Sequence, residues 1–281
     1  MQDQDQVDLR QRIHIGLLEL VDRTLAEPTI GPRVTRMLTA CHLSVDDLKK
    51  EVLDYTLGLG QQDPEYYKNE RYRKSAARAT LYFHNLVIGT YHRERHRLVA
   101  NFLERTSPRT FMDIGYGVPG AFIADYLQRH ATARAVLLDQ DPSAEEFSKA
   151  VLGLETPEIL SRISFGTYDM DTQTYPGDAD CYLMLDSIEH TRKPTEYLAM
   201  LISRSPKDAT FIFSIPICPL RGLEGFHFME WLTDAEARGW LTTAGLVVLD
   251  DGIAQPNPAV DFFAELNFGS FYNYLALCRK A

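Results

Sequence analysis

Apolar positions in the first hundred residues recur three and four apart, the spacing of a helix with one buried face. Ile13, Leu17, Leu20, Val21 and Leu25 carry that pattern through residues 7–26, until Pro28, Gly31 and Pro32 interrupt it. A short helix is predicted over residues 34–41. Ser44 and Asp47 then form an N-cap signal for a helix running to residue 57. Gly58, Gly60 and the Asp63–Pro64 pair end it. Residues 65–104 are again helical in pattern, in two pieces meeting near Gly89. No strand-like alternation occurs before residue 108, and Ser107–Pro108 marks a boundary.

Beyond that boundary, short apolar runs alternate with helical stretches. The runs cover residues 111–114, 135–138, 163–165, 181–185 and 211–215. Such alternation predicts parallel βαβ units with helices on both faces of a sheet. Residues 246–249 and 271–278 supply two more strands. The stretch between them holds Pro256 and Pro258 and no strong helical pattern, so a loop joins them and the pair is antiparallel. The expected fold class is α/β. A Rossmann-like, mostly parallel seven-stranded sheet would end in an antiparallel C-terminal pair and follow an all-helical N-terminal segment. Residues 1–106 would form that segment, a lid or wall for a substrate pocket, and residues 107–281 the cofactor-binding domain.

Composition narrows the picture. The 281 residues are 45% apolar and 24% charged, ordinary for a globular protein. A net charge of −10 disfavours a phosphate-neutralising surface, so nucleic acid is not the expected partner and a small molecule is. Cys41, Cys181, Cys218 and Cys278 lie far apart, and Cys181 and Cys278 sit in apolar runs, so buried thiols in a reducing cytoplasm are expected. No run is apolar for long enough to span a bilayer, and no signal peptide is apparent at the N-terminus. Oligomeric state is not legible.

Candidate chemistry gathers around residues 110–127. The run ending at Ile114 breaks into Gly115, Gly117 and Gly120, then resumes with helical spacing at Phe122, Ile123, Tyr126 and Leu127. This predicts strand, tight turn and helix, where glycines admit a ligand to the backbone and the helix directs its positive end at it. The pattern fits the dinucleotide fingerprint, with Asp139 as the ribose acid, and so allows a nicotinamide-dependent oxidoreductase. Asp113, two residues before the first glycine, instead resembles the first motif of the class I S-adenosylmethionine (SAM)-dependent methyltransferases.

Three later stretches extend that resemblance. The run to Leu138 ends in Asp139 and Gln140, where a carboxylate can accept both ribose hydroxyls. Asp169 and Met170 resemble the segment after the third strand that receives adenine, with Asp171 as a competing register. Asp186-Ser-Ile-Glu189-His190 resembles the signature after the fourth strand, and is closest to the ubiquinone-biosynthesis O-methyltransferases and the small-RNA 3′-end 2′-O-methyltransferases. The resemblance covers residues 108–250. It implies SAM contacts at Asp113, Gly115, Tyr116, Gly117, Asp139, Gln140, Asp169, Met170 and Asp186.

Residues 186, 189 and 190 stand at i, i+3 and i+4, which on a helical turn share a face. Two carboxylates and an imidazole there make a half-site for a divalent ion. In the RNA-end enzymes a His-containing stretch before a Trp supplies a fourth ligand; His227, ahead of Trp231, matches it. The resemblance thus implies Mg or Mn held by Asp186, Glu189, His190 and His227. Without a metal, it implies His190 or His227, with Glu189, beside the transferred methyl as a base. Thr233 and Glu236 form a capping box that puts His227 in a loop. His92 and His96 lack the order of a zinc-protease motif and read as a solvated charged helix face. The aromatic and basic stretch around Tyr72, with Tyr82, reads as substrate-pocket wall. The expected function is SAM-dependent methylation of a small molecule, O-methylation favoured. The alternatives are a nicotinamide oxidoreductase and a non-catalytic SAM-binding scaffold.

Overall fold

All seven predicted strands form. A computed structural model of the chain describes residues 15–58, 75–88, 90–217, 227–255 and 272–281. The strands are β1 (Thr110–Ile114), β2 (Arg134–Asp139), β3 (Ile163–Thr167), β4 (Cys181–Leu185), β5 (Thr210–Ile217), β6 (Leu246–Ala254) and β7 (Tyr272–Lys280). They make one sheet in the order β3-β2-β1-β4-β5-β7-β6. β7 runs antiparallel to both its neighbours, and the other contacts are parallel. β6 extends past its predicted end, through a bulge between Val248 and Asp250.

The connections leave β1 in one direction and β4 in the other, so the strand order reverses between them. Open α/β sheets bind ligands beyond the carboxyl ends of the strands at such a point. Strand alternation sends one set of side chains to each face. Phe111, Leu137, Leu183, Ile212, Leu275 and Leu277 meet helices α5 (Thr90–Thr106) and α6 (Ala121–Arg129) on one side. Met112, Tyr182, Met184, Phe211, Phe213 and Tyr274 meet α8 (Pro194–Arg204) and α9 (Asp234–Thr243) on the other. Cys181 and Cys278 are buried thiols, as expected, with burial pushing both up to about 12.

The segment before the sheet is all helical among the described residues. It holds α1 (residues 15–26), α2 (Gly31–Ala40), α3 (Val45–Gly58) and α4 (Ser75–Phe83), with a π-helical turn, His84–Ile88, leading towards α5. The Ser44 capping box forms: the Asp47 N–H donates to the Ser44 hydroxyl, and the Ser44 N–H to the Asp47 carboxylate. α2 and α4 pack on α7 (Ser143–Glu155), which follows β2. α7 is thus apolar on two sides: Ala144 and Leu152 join the sheet core, while Phe147 and Val151 join Leu17, Val34, Met37, Leu48 and Phe83 of the helical segment. α5 instead lies on α6 and on β5, β6 and β7.

Phe147 is the largest α7 side chain in the helical cluster, and Tyr82 meets its ring edge-on at 5.7 Å. Phe147→Ala should cost about 3–5 kcal/mol through lost burial and the cavity left behind. Urea unfolding measures it, and partial proteolysis should show cleavage before residue 90 preceding cleavage in the sheet.

Candidate active site

The glycine turn is held open by its neighbours. Gly115 and Gly117 have φ of +75° and +61°, values that side chains with a Cβ rarely adopt. The Gly115 N–H donates to the Leu138 carbonyl at 2.7 Å, and the Ser187 hydroxyl donates to the Ile114 carbonyl at 2.8 Å. A Cβ on Gly115 would lie 2.7 Å from the Ser187 Cβ and 3.7 Å from the Met170 Cε. The turn after β1 and the loops after β3 and β4 therefore meet at one point.

Asp139 ends β2 beside this turn. Its Oδ2 accepts from the Gly117 N–H at 2.9 Å and its Oδ1 from the Asp141 N–H at 3.0 Å. Asp141 caps α7, accepting from the backbone and hydroxyl of Ser143. Burial works against the Asp141 charge, but the Ser143 hydrogen bonds and Arg78 outweigh it and hold the carboxyl below its ordinary range. Gln140, between them, is half-buried. The two readings of the β3 loop separate. Asp171 is committed to the β4 loop, accepting from the Thr191 hydroxyl at 2.8 Å and the Arg192 N–H at 2.7 Å. Asp169 caps its own 3₁₀ turn through the Asp171 N–H, and Met170 follows it towards Gly115.

On the α5 face, the edge formed by the carboxyl ends of the parallel strands carries a polar row: Asp113 in β1, Asp186 after β4, Ser214 in β5 and Asn273 at the start of the antiparallel β7. Asp186 has φ +51° and is gripped from three sides, by the Arg95 guanidinium, the Ser214 hydroxyl and the Asn273 amide. Burial pushes the Asp113 carboxyl up to about 7; Arg95 opposes this and Asp139 adds to it. His92 and His96 are turned inward with Arg95. Burial, then the Arg95 charge, drives the His96 imidazole down to about 3 and holds His92 well below its usual range.

Glu189, His190 and His227 form a separate cluster. Each can offer one ligand atom such that all lie within 4.8 Å of one another. His190 Nε2 and His227 Nε2 stand 3.8 and 4.0 Å from Glu189 Oε1, and the two rings are 4.8 Å apart. The Phe228 N–H donates to the Glu189 carbonyl at 2.8 Å, which brings the His227 loop to the β4 loop. The Thr233 hydroxyl accepts from the Glu236 N–H, as the capping box requires.

Several expectations are corrected. Asp186 does not share a helical face with Glu189 and His190. Its left-handed backbone precedes a 3₁₀ turn, Ile188–His190, and its carboxylate is spent on Arg95, Ser214 and Asn273, so the ligand cluster excludes it. His92 and His96 do not form a solvated face; they lie on the buried stripe of α5 with Val99 and Phe102. The Tyr116 side chain turns into the core, where its hydroxyl accepts from Ser148 at 3.4 Å. Tyr82 is buried, its hydroxyl at Arg33 and at Glu155, the last residue of α7 and thus the end remote from the strands' carboxyl edge. It does not join the site. Tyr72 lies outside the described residues. Arg78 and Arg95 were not foreseen.

No family model matches the chain, and no curated protein matches it in sequence. Solved structures do. The (4+2)-cyclase SpnF superposes with a TM-score of 0.52 at 14% identity, covering 66% of this chain and 80% of its own. The N-methyltransferase NodS of Bradyrhizobium japonicum, with S-adenosyl-L-homocysteine (SAH), gives 0.51 at 15%, covering 68% and 88%. The mitomycin 7-O-methyltransferase MmcR gives 0.52 at 18%, covering 93% of this chain and 71% of its own. The fold is that of the class I methyltransferases. Its antiparallel β7 departs from the 3-2-1-4-5-6 order of dinucleotide-binding sheets.

Within this methyltransferase fold, Asp113 gives a pH test. Its carboxyl titrates near 7 rather than at the ordinary 3.8, so burial penalises its charge. The penalty is absent below the unfolded value, grows as pH rises, and is complete above about 7. Asp113→Asn never ionises. It should therefore gain stability over the unmodified protein, on the order of 3 kcal/mol, between pH 4 and pH 8. Urea unfolding at both pH values reads the difference; a pH-independent gap would place the titration elsewhere.

Proposed function

We propose that the protein is a SAM-dependent methyltransferase acting on a small-molecule acceptor, with O-methylation favoured. The observation that carries this reading is the convergence at Gly115. Here the glycine turn, Met170 from the β3 loop and Ser187 from the β4 loop border one space, with Asp139 at its β2 side. The residues fit the cofactor. Asp139 offers acceptor oxygens for ribose hydroxyls, Asp169 and Met170 a carboxylate and a soft apolar face for adenine, and the turn its backbone for the methionine end. SAM supplies a methyl on a sulfonium, displaced in line once a nucleophile is aligned. What the chain must add is position and a place for the acceptor's proton.

Glu189, His190 and His227 suit that second task. Without a metal, either imidazole can take the proton, oriented by the Glu189 carboxylate. As ligands they form a carboxylate and two-imidazole set, which suits Mn or Zn better than Mg once Asp186 is removed from it. Such an ion would lower the pKa of an acceptor hydroxyl. The two roles exclude each other at any one nitrogen. The acidic balance, net −10, supports a small acceptor over RNA.

Calorimetry should show binding of SAH and none of NADH. Asp139→Ala should weaken SAH binding by about 1.5–3 kcal/mol, the worth of a hydrogen bond to a charged group. NADH binding with silence towards SAH would reject the reading. Incubation with methyl-labelled SAM and a metabolite extract separates an enzyme from a non-catalytic binder.

The metal has its own test. Chelation by EDTA should abolish turnover, and Mn²⁺ should restore it more fully than Mg²⁺. Glu189→Gln should lose the restoration. Turnover indifferent to EDTA would leave the imidazoles as bases.

A further inference from the structure

Arg78 has the largest side chain among those wholly withdrawn from solvent in the described residues. A buried guanidinium persists only where carboxylates and carbonyls meet it. Arg78 comes from α4, yet its contacts lie at the end of β2. Nη1 donates to the Gly117 carbonyl at 2.8 Å, and Nη2 to Asp139 Oδ1 at 3.3 Å and Asp141 Oδ2 at 3.1 Å. Nε approaches the Ser143 hydroxyl at 3.4 Å. One planar fork thus spans the glycine turn, the β2 acid and the α7 cap.

The two carboxylates are already joined through the Asp141 N–H to Asp139 Oδ1. Among the described residues, Asp113 of β1, Tyr116 of the turn and Glu145 of α7 also face this corner. All three become negative on ionising, and among the described residues here Arg78 is the cation that lets two acids share it. Each acid accepts three hydrogen bonds within the chain, but the Asp139 side chain is 10% exposed against 3% for Asp141, so Asp139 is the acid that a ligand can reach.

We propose that Arg78 is a positioning residue of the nucleoside pocket, holding the Asp139 carboxylate in the pose that receives the two ribose hydroxyls. Cofactor recognition then depends on the docking of α4, a helix outside the sheet domain. The inference rests on the reading that this pocket binds SAM.

The test is calorimetric, on the full chain, with SAH and with SAH lacking both ribose hydroxyls. The unmodified protein should prefer SAH strongly. In Arg78→Lys the charge stays but the fork is lost. SAH should bind about tenfold more weakly, while the dideoxy analogue changes less than about twofold, because a ligand without hydroxyls gains nothing from Asp139. Arg78→Met should erase the preference altogether; if it does not fold, the lysine variant carries the result. Equal weakening of both ligands would reduce Arg78 to a structural buttress and overturn the proposal. Tighter SAH binding in either variant would also overturn it, since Arg78 would then be obstructing Asp139. Failure of the unmodified protein to bind SAH would refute the cofactor reading itself, and is told apart by appearing before any substitution.

Discussion

Two buried arginines tie the helices ahead of the sheet to the carboxyl ends of its strands. Arg95 of α5 reaches Asp186 after β4, and Arg78 of α4 reaches Asp139 and Asp141 after β2. They lie on either side of the point where the strand order reverses. A buried ion pair adds little net stability over an apolar isostere, but losing one partner strands a charge and costs about 3–5 kcal/mol. The pairs therefore act as constraints. Neither helix can move away without exposing or orphaning a charge at the carboxyl edge, so α4 and α5 are mechanically coupled to that edge.

The strands were legible because their signals are local. Apolar runs ending in glycine or acid state both the strand and its exit; the capping box at Ser44 forms in both directions, and at Thr233 the hydroxyl accepts from the Glu236 N–H while the Glu236 carboxylate accepts from the Leu232 N–H. The arginines were missed for a different reason. Their charge masks the helical period. His92, Arg95 and His96 stand three and four residues apart and continue directly into Val99, Phe102 and Leu103, the buried stripe of α5. Arg93 and Arg97, off that stripe, are exposed. Arg78 likewise neighbours Ala79, Tyr82 and Phe83 on the buried side of α4. Polar residues on an apolar stripe mark buried polar chemistry, and that signal was present in the sequence.

Asp186 shows the opposite limit. Spacing of i, i+3 and i+4 implies a common face only if the backbone is helical throughout. The chain leaves β4 through a left-handed residue, which turns the Asp186 carboxylate to the α5 face. There it completes a polar row with Ser214 and Asn273, contributed by strands far away in sequence. His227 is the converse case. Nothing local aims it at Glu189, yet the Phe228 backbone bond to the Glu189 carbonyl brings the two loops together. Contacts of this kind depend on the order of β5 and β7 in the sheet, which pattern alone does not state.

The same sheet serves a cyclase and both N- and O-methyltransferases among the structures it resembles, so the fold leaves the reaction open and residues at its edge must set it. Here the edge divides at the Gly115–Ser187 contact. On the β1, β2 and β3 side stand the glycine turn, Asp139, Asp169 and Met170, groups suited to a nucleoside. On the β4, β5 and β7 side stand Asp186, held in its polar row, and the Glu189, His190 and His227 cluster, whose imidazoles and carboxylate are suited to moving a proton. Gly115 has no side chain to separate the halves, and Ser187 packs into the space a Cβ would fill. On the proposed reading, donor and acceptor approach one another from the two sides of this contact.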